Sequence, residues 1–469
     1  MVRLSDLKNR EGNIMNTKNT IFNLVCISTL ALTIYHPSTA AAESIPFPLN
    51  KENSYKLDGD HFLPSSLDTI TWGHLPNRNS EPVMEITSGE TLTVDTVSHE
   101  GILDDQGRNP IEYFGEHGVS EDEILEEAKT IAGSDIDHDF DNHGPHVVTG
   151  PVAIEGAEPG DVLKVEILSL TPRVPYGVIS NRHYKGALPE EFPENDGPQE
   201  GASADNPELY NNVSLFTPIE YIDEQWYGQI LGEDVQFPID PFMGMMGVAT
   251  DTEDEVHSVP PTHTGGNIDI NDLTEGSTLY LPIEVTGGLF YTGDPHFAQG
   301  DGEVALTALE ASLRTTFRLT VLKNGDESIP GNASEFTHPF GETDDFWIPI
   351  GLDEDLNEAM KDATRRSINF LEDELGMDRA KAYAYLSAAT DYEVSQVVDQ
   401  TKGIHGMIRK ADFSNKLASI DSNQSENQEG GSLPNTATNT TIWLLLGSGL
   451  LLAGIAFYFF TIRRKTSIK

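Results

Sequence analysis

Apolar and polar residues alternate in short stretches through the first two-thirds of the chain, and Gly, Pro and Asp interrupt them. In residues 162–170 (VLKVEILSL), Val162, Lys164, Glu166 and Leu168 fall on one side, and Leu163, Val165, Ile167 and Ser169 on the other. Residues 278–285 (TLYLPIEV) and 315–322 (TTFRLTVL) follow the same two-residue period, which sends successive side chains to opposite faces of a strand. A helical period is clear mainly from residue 353 to 400. Leu356, Met360, Ala363 and Ile368 recur at three- and four-residue spacing and Gly376 marks a stop. Residues 380–399 give a second helical pattern, interrupted around Asp391. The pattern predicts a β-rich α+β fold, with a sandwich- or barrel-like portion, a smaller α+β portion and a late helical pair. No repeat of solenoid period is present.

Two apolar runs stand outside this pattern. Lys18 precedes residues 21–34 (IFNLVCISTLALTI), and small residues follow as far as Ala40-Ala41-Ala42. A positive start, a short apolar core and an Ala-x-Ala exit predict a signal peptide over residues 1–42. At roughly 14 residues the run is short of the ~20 needed to span a bilayer. Cys26, the one cysteine, lies inside it. Its removal would leave no thiol for a disulfide, a metal or a nucleophile. Near the other end, residues 433–437 (LPNTA) precede an apolar span over 442–462 and a basic tail over 463–469. The span is long enough to cross a membrane, and the tail suits the cytoplasmic side. This order resembles the sorting signal of Gram-positive surface proteins, with Ala437 where Gly is usual. The resemblance implies that a sortase joins Thr436 to peptidoglycan, leaving the protein exported and anchored to the cell wall. Residues 415–432 are polar, with few apolar positions to bury, and read as a flexible linker. Residues 43–414 remain as the globular region. At roughly 370 residues it exceeds a usual single core and suggests two intimately packed lobes.

Charge narrows the partners. The chain carries 76 acidic against 29 basic residues, a net charge of -47. Such a surface repels nucleic acid and other polyanions, which excludes them as partners.

Three stretches concentrate acids, imidazoles and glycines. In residues 135–146 (DIDHDFDNHGPH), Asp135, Asp137, Asp139 and Asp141 alternate, so an extended backbone would line them on one face. The EF-hand pattern fails, because its sixth and twelfth places counted from Asp137 hold Asn142 and Val148. His143 and His146 are candidate ligands or donors; an exposed acidic loop is the plainer account. In residues 262–269 (THTGGNID), Gly265 and Gly266 allow close backbone approach, and His263 and Asp269 are candidate ligands; an ordinary turn reads equally. In residues 293–303 (GDPHFAQGDGE), Asp294 and His296 point the same way if extended. The turn Gly300-Asp301-Gly302 could return Asp301 or Glu303 beside them, to hold a divalent metal or tune a base. An Asp-Gly hairpin with a satisfied histidine is the alternative. No G-x-S-x-G elbow, H-E-x-x-H or nucleotide-binding glycine pattern occurs, which leaves water as the attacking group.

The wording of four blocks goes further than their spacing. Residues 149–161 (TGPVAIEGAEPGD), 265–269 (GGNID) with 273–282 (LTEGSTLYLP), 293–303 and 395–399 (SQVVD) resemble, in order, the blocks of the acetamidase/formamidase family. Thr264 stands directly before Gly265 where many members have His, and His263 lies one place earlier. The resemblance covers roughly residues 60–410. It implies a metal-associated hydrolase of linear amides that releases ammonia and a carboxylate, with a homodimer or larger assembly. It also implies an active site containing His146, Asp269, Asp294, His296, Asp301 and Glu303. On this reading Glu303, Asp301 and His146 are catalytic, and Gly265, Gly266 and Asn267 hold substrate or oxyanion. Asp269, Asp294, His296 and His143 are the metal ligands, for Zn or Ca. Two other expectations fit the same scaffold: a non-enzymatic surface binding protein, and an amidase for a larger wall-derived amide.

Overall fold

Each of the three alternating stretches contains a strand, with one side in the main core and part of the other side under the late helical pair. The computed structural model describes residues 59–331 and 336–417. The expected signal peptide, sorting motif, apolar span and basic tail lie outside the described residues, as does the expected linker beyond residue 417. No helix among the described residues is long and apolar enough to cross a membrane.

Strands Leu313–Leu322, Val162–Pro172 and Thr278–Pro282 lie side by side, antiparallel, within a nine-stranded sheet. That sheet begins with His61–Leu63 and Thr91–Asp95 and ends with Phe340–Glu342, Phe346–Asp353, Lys402–Arg409 and Asp391–Gln396. One face presents Leu163, Val165, Ile167, Leu279, Leu281, Phe317 and Leu319 to the main core. Facing them are Val152, Ile154, Val178, Met243, Met246, Phe290 and Phe297 of an eleven-stranded sheet. The rings of Phe290 and Phe317 meet across the gap with centroids 5.4 Å apart. The two sheets share this core, so the lobes expected from length are layers of one sandwich.

The late helical pair covers the other face of the nine-stranded sheet. Helix Leu356–Leu375 starts at Asp355, whose carboxylate accepts from the Asn357 and Glu358 backbone N–H groups, and stops at Gly376 in the left-handed region (φ 57°). Helix Arg379–Ala389 is capped by Asp378. Phe370, Leu371, Leu375, Ala382 and Leu386 pack on Val162, Tyr280, Phe340, Trp347 and Ile408. A Cβ on Gly351 would lie 2.2 Å from Ala363 N and 2.4 Å from Ala359 O, so the first helix rests directly on the strand beneath it. The expected second helix does not continue to Asp399. From Asp391 the chain becomes the edge strand Asp391–Gln396, paired with Lys402–Arg409. Tyr392 and Val394 suit an extended strand, and ladder hydrogen bonds override the local helical period.

Candidate active site

The site is assembled at the centre of the eleven-stranded sheet. Strand Phe290–Ala298 runs antiparallel to Phe242–Gly247 on one side, and meets Val147–Ile154 and Leu309–Glu310 on the other. Asp294 falls between the pairs Gly293–Met245 and Pro295–Met243, and so sits opposite Gly244. His296 pairs in register with Glu310. Asp269 follows strand Gly265–Asn267, with its N–H donating to Gly244 O at 3.1 Å. A Cβ on Gly244 would lie 2.4 Å from Asp269 Oδ1 and 2.8 Å from Asp294 Oδ2, so only glycine lets these carboxylates approach. Glu303 is brought in by stitching of its loop to a second segment. Gly302 N–H donates to Val394 O at 2.7 Å and Val397 N–H to Gly302 O at 3.2 Å, which also delivers Asp399. Asp269, Asp294 and Glu303 all have left-handed backbones, with φ of 47°, 50° and 48°. Each such residue costs about 1–3 kcal/mol, and strain of this kind concentrates at functional sites.

Asp294 is the hub. Its Oδ2 lies 3.0 Å from His296 Nε2, which is also 3.0 Å from Glu310 Oε1. Its Oδ1 lies 3.6 Å from both His99 Nδ1 and His146 Nε2, and has no hydrogen-bond partner among the described residues. The outer nitrogens of these two imidazoles are engaged elsewhere. His99 Nε2 is 3.3 Å from Glu100 Oε1, and His146 Nδ1 is 2.9 Å from Ser258 Oγ. Glu100 is itself fixed by Arg182 at 2.9 Å and by the Ser180 hydroxyl at 2.6 Å. Two inward nitrogens and one carboxylate oxygen therefore converge without bonding one another. Ligands at about 2.0–2.2 Å from a tetrahedral metal are separated by about 3.3–3.6 Å, so the residues present fit a cation with three protein ligands. The Ser258 hydroxyl fixes the His146 ring as such groups do behind metal-binding histidines, and the Glu100 carboxylate stands in the corresponding place beside His99 at ion-pair distance. Asp269 also has both carboxylate oxygens buried and without a hydrogen-bond partner.

Above this cluster opens a cavity of about 800 Å³, lined by His99, His146, Asn267, Asp294, Glu303, Glu310 and Asp399 at its base. Asp269 and His296 do not line it, so they support the base from behind. Asn267 Nδ2 donates to Asp399 Oδ2 at 3.0 Å, and its Oδ1 has no hydrogen-bond partner.

The charges are strongly redistributed. Burial, with Glu303, Asp399 and Asp294 nearby, pushes Asp269 well above the usual carboxylate range. Burial and Asp399 do the same to Glu303. Burial raises Asp399 to about 7 and also raises Glu310. Burial would raise Asp294 too, but His296 and His146 outweigh it and hold this carboxyl far below its ordinary value. Burial lowers His146 to about 3, so its ring is neutral and able to act as a ligand. The raised acids retain protons that the unfolded chain has released. Their stabilising contribution is complete below about pH 4 and is lost as pH rises through the raised values, about 7 for Asp399. The Tm of chelator-treated protein is therefore expected to fall by several degrees between about pH 7 and about pH 9, above the range in which the histidines of the unfolded chain release their protons. Added Zn²⁺ should restore more of it at the higher pH, where the ligands are deprotonated. A Tm unchanged across this range, measured by calorimetry, would contradict that charge assignment.

Of the residues expected from sequence, His146, Asn267, Asp269, Asp294, His296 and Glu303 come together. Asp301 does not. It is exposed, and its carboxylate accepts from Asn271 Nδ2 at 3.0 Å in a separate surface pocket, because the turn at Gly302 (φ 93°) directs it outward. His143 stands at the cavity mouth beside His74 and Glu255, with Nδ1 accepting the Asp139 N–H at 3.1 Å. The segment carrying the four aspartates is turned rather than extended, since Asp139 Oδ1 accepts from the N–H groups of Asp141 and Asn142. Gly265 and Gly266 lie outside the cavity wall, and the Gly265 N–H is used by Thr262 O at 3.1 Å. His263 turns to Glu284 at 2.8 Å, and Thr264 is buried in hydroxyl contacts with Thr250 and Thr262. His99, Glu310 and Asp399 join the site without a spacing or motif that marks them as functional in the sequence. Asp399 closes the block at 395–399, whereas His99 has only the neighbouring Glu100 as a local signal.

The Acetamidase/Formamidase family model matches residues 126–257 and 248–408, more than half of the chain. The LPXTG cell wall anchor motif matches residues 425–467. A formamidase of Methylophilus methylotrophus is 26% identical over 40% of this chain and 54% of its own length. An acetamidase of Mycolicibacterium smegmatis is 27% identical over 39% of this chain and 55% of its own. The chain thus spans about half the length of the curated relatives it matches. The solved acetamidase of Bacillus halodurans is 25% identical, covers 76% of this chain and 99% of that one, and superimposes with a TM-score of 0.56. The matched residues include His146, Asp294, His296, Glu303, Glu310 and Asp399 of the cluster, with His99 lying before them, and this chain belongs to the acetamidase/formamidase family.

Proposed function

We propose that the protein hydrolyses carboxylic amides to a carboxylate and ammonia at the cell wall, to which a sortase joins it through Thr436. The observation that carries this reading is the convergence of His99 Nδ1, His146 Nε2 and Asp294 Oδ1 at the base of a cavity that Glu303 also faces. These three residues would hold a divalent cation. Two imidazoles and a carboxylate suit Zn²⁺ better than Ca²⁺, which prefers oxygen ligands. When bound, the cation would supply Lewis-acid polarisation of the amide carbonyl and a lowered pKa for water.

The chain's own groups perform the rest. Asn267 Oδ1, its amide fixed through Nδ2 on Asp399, accepts a hydrogen bond from the substrate nitrogen and orients the amide. The ionised form of Glu303, which burial and Asp399 make scarce but strongly basic, takes a proton from the attacking water as the C–O bond forms. It returns that proton to the nitrogen as the C–N bond breaks and ammonia leaves. His296 holds Asp294 in place from behind.

The test is ammonia release by the purified full chain, supplied with Zn²⁺, from formamide, acetamide and propionamide. Ammonia and carboxylate are expected in equal amounts from at least one of them. Absence of ammonia from every amide offered would overturn the reading.

A further inference from the structure

The cavity is far larger than the smallest amides need. At about 800 Å³ it lies within the ~300–1,000 Å³ typical of sites for drug-sized ligands. Acetamide occupies about the space of three waters, roughly 100 Å³.

One wall of this space is a loop pinned at both ends. Arg182 is buried and held by Glu100 at 2.9 Å and Asp105 at 2.7 Å. Asn181 Nδ2 donates to Ala305 O at 2.8 Å, and Ala187 N–H donates to Val304 O at 2.9 Å. Tyr184 and Gly186 both have positive φ, 66° and 80°, so the chain turns sharply and carries Lys185 between them. Lys185 lines the cavity. Its ammonium makes no hydrogen bond or close ion pair among the described residues. Asp105, Asp141 and Asp399 act on it only at longer range, and Arg182 opposes them. Lys185 is itself exposed, so its ammonium is open to a ligand entering the cavity.

Two of the imidazoles that line the same cavity accept a backbone N–H at Nδ1. His143 Nδ1 accepts the Asp139 N–H and His257 Nδ1 accepts the Val259 N–H, each at 3.1 Å. A neutral ring with Nδ1 accepting carries its proton on Nε2, so each presents an N–H donor. Lys185 and His143 are both electrostatic neighbours of His257, with His74 and Glu255 also acting on that ring.

We propose that the amide taken by this site bears a carboxylate on its non-reacting portion, bound by the Lys185 ammonium and the ring N–H groups of His143 and His257. The proposal rests on the amide-hydrolase reading and names its substrate class. The acids at the cavity base would repel a carboxylate placed there, so the anion must sit apart from the reacting amide, as it does in the half-amide of a dicarboxylic acid. A charge-assisted hydrogen bond of this kind is worth roughly ten- to hundredfold in binding.

The experiment compares kcat/KM for succinamate, glutaramate and adipamate with that for the chain-matched neutral butyramide, valeramide and hexanamide. It uses the purified full chain with Zn²⁺. Glutarate binding is measured alongside by calorimetry. At least one anionic member is expected to exceed its neutral match by roughly tenfold or more. Lys185→Met should bring that ratio towards one and weaken glutarate binding by a similar factor, whereas Lys185→Arg should keep most of both. Ready hydrolysis of the neutral amides with ratios at or below one overturns the carboxylate proposal and leaves amide hydrolysis standing. Glutarate binding that Lys185→Met abolishes, without ammonia from any amide, supports the anion site and sinks the amidase reading. Neither binding nor turnover overturns both.

Discussion

Replacing Glu303 by glutamine is expected to lower kcat for amide hydrolysis by roughly 10³-fold, within the usual range for loss of a general acid–base group. The substitution is nearly isosteric, and burial beside Asp399 and Glu310 already disfavours the ionised form of Glu303. Removing that ionisable group relieves like-charge crowding, so the Tm should stay level or rise. The cation ligands are untouched, so metal content should also be unchanged. A drop in kcat with normal Tm and normal metal content is the expected signature. Near-wild-type turnover by folded Glu303→Gln would remove Glu303 from the mechanism.

Asp294→Asn is expected to have a different signature. Asp294 is held ionised by His296 and His146, and its Oδ1 completes the three-atom set at the cavity base. Asparagine keeps the shape but removes the anion. His296 then faces Glu310 alone, and the cation loses its one anionic ligand of the set. Loss of one partner from a buried charge pair costs about 3–5 kcal/mol, so the Tm should fall. The bound divalent cation, measured by elemental analysis, should drop from about one equivalent to near none, with activity falling at least roughly 10³-fold. A variant with full metal content and full turnover would contradict the role given to Asp294. The two substitutions thus separate proton transfer from metal retention, although Glu303 and Asp294 face one cavity.

What the sequence could disclose follows from which interactions are local. Residues 162–170 alternate because each strand has one face in the main core, so their class was readable from period alone. The capping of helix Leu356–Leu375 by Asp355 and Gly376 is equally local. Residues 390–396 were not readable in this way, because their strand exists through pairing with Lys402–Arg409 rather than through their own period. The same division holds in the site. Asp294 and His296 are two apart on one strand and point to one region, as their spacing suggests. Asp301 and Glu303 have the same separation, but Gly302 turns the first outward and the second inward. His99 lies nearly 200 residues from Asp294 in sequence; only the packing of the two sheets places its Nδ1 at 3.6 Å from the carboxylate. His143 looked equivalent to His146 in the sequence, yet one backbone N–H from Asp139 holds it at the rim.

The central claim is that one divalent cation, held where His99, His146 and Asp294 converge, serves amide hydrolysis in this cavity. Anomalous X-ray diffraction from crystals of the active, Zn²⁺-loaded protein, collected above and below the zinc absorption edge, addresses it directly. A single strong difference peak is expected, enclosed by His99 Nδ1, His146 Nε2 and Asp294 Oδ1, beside the Glu303 carboxylate. An active protein with no peak there, or with its zinc bound among other residues, would contradict it.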